Sequence, residues 1–290
     1  MGVPVRPRIA PLVVFLSAAM LAPGASRAEA PESQEGKMNL AFVLLPEAKL
    51  PRGGAIERAF PAYAIDGQSL RYRPEKPDRS RKASEDAVVL DTGGGQAMVM
   101  LLPTPIPKGE ADEAARYSIS ALNGKWKLPP HQAHLIVTLH APGNVTTRLS
   151  LLTSILAAIA EASSAVGIYC GDAGATHDPR FFREIARSRT NESRLMLWTG
   201  ISIAREGARY GLLSLGMSQF ELPDLLLVVP PAKTDEAIPF MLDLLGMVVR
   251  DGKPLPEGDT VGRSATEKLP VRYVPSPVDP KAKVWRVEMK

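Results

Sequence analysis

The stretch that most constrains this chain is residues 131–172, where a helix almost free of charge stands between two apolar strands. His134 to His140 is a short run rich in β-formers, and the Pro142-Gly143-Asn144 turn signal follows it. From Thr147 to Ala162 the residues are strong helix formers, with Thr146 or Thr147 expected to cap the first turn. Apolar side chains recur at 149, 151, 152, 155, 156, 159 and 160, and Glu161 is the only charge after Arg148. Such a helix must be covered on most sides, so it is expected at the centre of the core. Val166 to Cys170 then reads as a second buried strand, closed by Gly171.

The first thirty residues read as a secretory leader. Arg6 and Arg8 form a positive start, Ile9 to Ala22 an apolar segment, and Ser26-Arg27-Ala28 and Ala28-Glu29-Ala30 offer small residues for cleavage near Ala28 or Ala30. The mature chain is therefore expected to be soluble and periplasmic or extracellular. Losing Arg6, Arg8 and Arg27, and no acid, lowers the formal charge from +4 to +1. The basic balance thus belongs largely to the leader and gives no reason to expect a nucleic-acid partner. No membrane span is expected after leader removal, because 147–162 is short and runs directly into a strand. Cys170 is the only cysteine, so no internal disulfide is available and stability must come from packing.

Residues 31–38 read as a disordered lead-in, and 39–290 as a single α+β domain with possible halves 39–145 and 146–290. Leu40–Leu45 reads as a strand, Ile56–Tyr63 as a short helix, and the charged, proline-bearing segment Arg71–Asp86 as a solvated loop. Ala87–Leu90 and Gln96–Leu102 form a hairpin around Asp91-Thr92-Gly93-Gly94-Gly95, and Lys108–Tyr117 a polar surface helix. Asp91-Thr92-Gly93 resembles an aspartic protease signature, but one copy supplies one carboxylate where that chemistry needs two. The order of the first half suits a split βαβ (ferredoxin-like) antiparallel sheet packed with helices. Two related halves could share the central buried helix.

Farther on, Pro179–Arg187 reads as a basic helix, Leu195–Ile203 and Tyr210–Leu215 as strands, and Leu225–Val229 as a buried strand. A helix then runs from Thr234, its expected N-cap, to about Val249, and Asp251-Gly252 stops it. Residues 252–264 read as a Gly/Pro loop. Leu269–Val274 and Val284–Met289 read as a closing pair of strands.

The candidate chemistry is sparse. His131, His134, Cys170 and His177, with Asp172, have residue types that suit zinc if the two strands pair and bring them to one strand end. His140 cannot join His134 on one ion, because six residues along a strand span about 20 Å. Cys170 beside His134 or His177 is the nucleophile alternative, but a thiol inside a strand is usually a small buried hydrophobe. Acids at helix starts, Glu110, Asp112, Glu113, Asp235 and Glu236, are explained by the helix dipole. No catalytic residue is assigned, and no cofactor is expected.

Several stretches carry a resemblance: LAFVLL at 40–45, PTPIP at 103–107, HQAHLIV at 131–137, VGIYCGDAG at 166–174, LWTG at 197–200, LGMSQFELPD at 215–224 and DGKPLPEGDTVG at 251–262. In their order and spacing the chain resembles an uncharacterised bacterial family, domain of unknown function 4261. The resemblance implies a shared fold and brings no catalytic residue with it. It also implies an aromatic residue where this chain has Cys170, which argues against a family mechanism based on cysteine.

The expectation is therefore an exported, non-enzymatic α+β binding module for a protein or cell-envelope partner. The alternatives are a metal- or cysteine-dependent hydrolase using His131, His134, Cys170 and His177, and an immunity-type or inhibitor protein.

Overall fold

The computed structural model describes residues 38–74, 86–122, 124 and 126–290. The expected leader, residues 31–37 of the lead-in and residues 75–85 of the charged loop lie outside the described residues.

In chain order the elements are β1 (Met38–Leu45), α1 (Gly53–Ala59), β2 (Leu70–Tyr72), β3 (Ala87–Thr92), β4 (Gly95–Leu102), α2 (Glu110–Ala114) and β5 (Ala133–His140). Next come α3 (Val145–Ala162), β6 (Gly167–Cys170), β7 (Ala175–His177), α4 (Pro179–Arg187), α5 (Asn191–Trp198), β8 (Gly200–Glu206) and β9 (Arg209–Leu215). The chain closes with β10 (Leu225–Val229), α6 (Thr234–Asp251), β11 (Thr260–Val261), β12 (Leu269–Pro270), β13 (Arg272–Pro275) and β14 (Lys283–Glu288). The fold is α+β.

A seven-stranded sheet has the order β2-β3-β4-β5-β1-β6-β7, with every neighbouring pair antiparallel. A five-stranded sheet has the order β13-β14-β10-β9-β8, in which only β10 and β14 run parallel. One split βαβ unit is present: β5 and β6, joined by α3, both run antiparallel to β1 and so lie parallel to each other with β1 between them. In the first half of the chain the order is different, because β1 and β2 are separated by three strands and β4 lies directly beside β5.

Alternation decides which side chains enter the core. Ala41, Val43 and Leu45 of β1 face inward with Leu135, Val137 and Leu139 of β5. From the other sheet Leu225, Leu227 and Val229 of β10 and Trp285 and Val287 of β14 join the same cluster. Between them α3 contributes Leu152, Ile155, Leu156 and Ile159, so the charge-poor helix is central, as its composition requires. Its serines and threonines are accommodated by bonds back to the preceding turn, Thr153 to Leu149 O (2.8 Å) and Ser154 to Ser150 O (3.2 Å).

The cap of α3 is Asn144 rather than Thr146 or Thr147: its side chain accepts from the Thr147 N–H at 2.9 Å. At 18 residues and a mean hydropathy of 1.3, α3 is also long and apolar enough to cross a membrane. The expectation that the run is too short is corrected, though 67% of it is buried in the protein.

Other boundaries also differ. The expected strand Leu195–Ile203 is split, with α5 ending at Trp198 and β8 starting at Gly200. An apolar run such as Leu-Met-Leu-Trp fits a buried helix as well as a strand. Thr190 decides between them by accepting from the Ser193 N–H (3.3 Å) and capping the helix. β2 falls at the start of the expected Arg71–Asp86 loop, and β7 adds an edge strand that was not expected. At α6, Thr234 is the first helical residue, not the cap; its hydroxyl donates to Pro231 O. Gly252, at φ 65°, ends that helix in the left-handed conformation that glycine tolerates best.

Candidate functional site

The pairing registers fix where the candidate side chains point. His134 opposes Leu44, and Phe42, two residues away on β1, opposes Tyr169. Phe42 stacks on Tyr169 and meets His134 edge-on, so these three rings share the outer face of the seven-stranded sheet. His177 opposes Ile168, which belongs to the inner core, and Cys170 lies two residues along from Ile168. Successive side chains alternate across a sheet. His134 therefore lies on one face, and Cys170 and His177 on the other.

His131 and His134 hold the segment Pro103-Thr104-Pro105-Ile106-Pro107. Three of its five residues are prolines, which have no N–H and cannot continue β4. The Ile106 N–H donates to His131 Nε2 (3.2 Å), and Thr104 O accepts from His134 Nδ1 (2.7 Å). The imidazoles thus take the place of ladder partners. Burial, the main cause, lowers the pKa of both, against a small opposing effect of Asp112 on His131 and of the Thr104 bond on His134.

His177 is fully buried. Its Nδ1 lies 2.7 Å from Ser118 Oγ and its Nε2 3.1 Å from Leu197 O. A carbonyl can only accept, so Nε2 carries the proton and Nδ1 accepts from the serine hydroxyl. Ser118 and His177 thus have the contact of a nucleophile and its base. Both, however, have zero exposure, and Ser118 is also shared with Ser120 Oγ at 2.7 Å. The pair ties β7 to the short 3₁₀ turns around residue 118 and to the end of α5.

Burial pushes the His177 pKa down to about 4. The unfolded chain takes up the proton near pH 6.5, while the folded chain refuses it until about pH 4. The stability contributed by the neutral imidazole is therefore complete above pH 6.5 and is lost as pH falls towards 4, amounting to about 3 kcal/mol. His131 and His134 act in the same direction. Urea melts at pH 7 and pH 4.5 are expected to show this loss, with His177→Gln showing a smaller dependence. Equal slopes in both proteins would contradict the assignment.

Cys170 is partly exposed as a residue, but its thiol lines an apolar cavity of about 20 Å³ with Leu152, Phe182 and Trp198. That volume holds about one water. Burial, with a smaller push from Asp172, raises the thiol to about 12, so the reactive thiolate is scarce. Asp172 lines the same cavity, and burial raises its pKa too. Among the described residues no group of three or more His, Cys, Asp or Glu is placed to hold a metal ion. Asp91 of the Asp-Thr-Gly turn is engaged by Arg73 (2.6 Å) and by Gln96 (3.1 Å).

The last six strands hold none of these groups. Residues 213–288 match the family model Domain of unknown function (DUF4261). The matched segment starts within β9 and ends within β14, and it covers about a quarter of the chain. It includes all of LGMSQFELPD and all of DGKPLPEGDTVG, and it excludes His131, His134, Cys170 and His177. No curated protein and no solved structure matches the chain.

Sequence reasoning missed Ser118 and Arg194. Arg194 is wholly buried in α5 and reaches three other segments through its guanidinium. One signal for it was available: an arginine directly ahead of the apolar run Leu195-Met196-Leu197-Trp198, in the helix that Thr190 caps.

Proposed function

We propose that this chain is an exported binding module that acts by surface contact with a macromolecular or cell-envelope partner. The observation that supports this reading is the division of the candidate groups between two faces of one sheet, with His134 outside and Cys170 and His177 inside. A hydrolase built from His131, His134, Cys170 and His177 needs them within reach of one substrate atom. Here the histidines are instead engaged with backbone groups or Ser118, as loop and strand fasteners. An immunity-type or inhibitor role would be one form of such surface contact.

Release to the periplasm or medium after cleavage near Ala28 or Ala30 belongs to the same proposal, and the charged, apolar and small-residue order of residues 1–30 supports it.

The test uses the mature chain and its Cys170→Ser variant. Native Cys170 is expected to react with iodoacetamide about 100-fold more slowly than in urea, since its thiolate is suppressed. Cys170→Ser is expected to retain partner capture from an envelope extract, with neither protein turning over ester, phosphoester or peptide substrates. Rapid alkylation of the native thiol, or turnover that disappears in Cys170→Ser, would overturn the reading.

A further inference from the structure

The five-stranded sheet ends on β8, whose outer side has no strand partner among the described residues. At the start of the strand the Gly200 N–H donates to Ala173 O at 3.0 Å, fastening that end to the loop after β6. Beyond that point residues 203–206 are exposed, and Ile203 is 46% accessible despite its apolar side chain. Glu206 and Arg209 face each other across the two-residue Gly207-Ala208 turn. In so tight a hairpin the flanking pair exchanges its backbone bonds, and the pairs at Ala204 and Ser202 follow in step. The N–H and C=O groups of Ile203 and Arg205 are therefore left pointing to the open side.

A groove of about 900 Å³ lies along this edge, lined by Arg116, Tyr117, Leu122, Trp126, Lys127 and Ile203. Arg116 and Lys127 are exposed, and among the described residues neither forms an ion pair. Asp112 is the acid on the groove wall, so two cations face one carboxylate. On the strand itself Glu206 is neutralised by Arg286 at 2.7 Å. Exposed edges invite strand addition unless something covers them, and here the backbone, apolar and cationic features lie side by side.

We infer that the open edge of β8 is a docking site for an extended, acidic peptide segment of a partner protein. The segment adds as a sixth strand, bonded to the backbone of Ile203 and Arg205. Its acidic side chains face Arg116 and Lys127, and its apolar ones cover Trp126 and Ile203. This inference rests on the binding-module reading and gives it a place and a partner chemistry.

The test is fluorescence anisotropy of the mature chain with a labelled acetyl-(Glu-Val)₄-amide. It is expected to bind at least about tenfold more tightly than the (Lys-Val)₄ peptide, and than a (Glu-Val)₄ peptide N-methylated at alternate residues. Exchange of the Ile203 and Arg205 amides is expected to slow in the complex, and the Arg116→Glu/Lys127→Glu double variant to bind about tenfold more weakly. Both changes lie on the surface, and an unaltered urea midpoint confirms the fold. Absence of binding, equal binding of the lysine or N-methylated peptide, or indifference to the double variant would overturn the inference. So would protection of Ile203 and Arg205 by concentration-dependent self-association, which would assign the edge to a second copy of the chain. If the double variant still captures a partner from extract, the site is wrong while the binding-module reading stands. If no partner is captured by either protein, that reading fails as well.

Discussion

Replacing Arg194 by alanine is expected to lower stability by roughly 3 to 5 kcal/mol, the largest effect of any single substitution proposed for this chain. The side chain has zero exposure, and no carboxylate is among its partners. One guanidinium nitrogen donates to Ser150 O (2.7 Å), Ser150 Oγ (2.8 Å) and Ser154 Oγ (3.1 Å). Another donates to Tyr63 O (2.5 Å) and Ala186 O (3.0 Å), while Nε has no partner. The cation is thus solvated by oxygens from α3, from the turn after α1 and from the end of α4. Burial, with Arg189 as a smaller cause, lowers its pKa to about 10, so it stays charged at neutral pH. Alanine would remove donors from buried oxygens and leave a cavity where the helices meet. Arg194→Met keeps most of the volume and removes the buried charge, so its loss is expected to be smaller, about 1 to 3 kcal/mol. Urea melts decide this; an Arg194→Ala midpoint equal to that of the parent chain would contradict the role given to the guanidinium.

Ile155→Ala in α3 is expected to cost about 2 to 5 kcal/mol, and Leu152→Ala a similar amount. Ile155 is fully buried and Leu152 nearly so, in the cluster that draws side chains from both sheets. The loss combines the transfer of the deleted carbons with the cavity left behind, and a helix held from several sides cannot collapse to fill it. The same melts check it. A change below about 0.5 kcal/mol, the range of surface substitutions, would show that α3 is not the centre of the core.

The parts of the fold legible in the sequence were those specified locally. The strand, helix and strand from His134 to Cys170 follow from composition and turn signals, and α4 spans the residues its proline start and basic end suggest. Strand neighbours were not legible, because β1 lies between β5 and β6, and β10 beside β14, through contacts distant along the chain. That non-local order is why the split βαβ unit falls at β5-α3-β6 around β1 rather than within the first half, where the local order suggested it. The candidate site depended on the same missing knowledge. Sequence shows that His134, Cys170 and His177 lie on or near strands that succeed one another along the chain, but only the registers Leu44 with His134 and Ile168 with His177 give their faces. Ser118 pairs with His177 across 59 residues, and nothing in its local sequence marks it.

The most direct test of this account follows the histidine imidazoles of the mature chain, free of any histidine tag, by ¹⁵N NMR through an acid titration and then a zinc titration at neutral pH. His177 is expected to remain neutral down to about pH 4 with its proton on Nε2, and the histidines to respond to zinc independently and without a stoichiometric end point. A single equivalent of zinc that shifts His131, His134 and His177 together would contradict the account, because groups on opposite faces of the sheet cannot share one ion.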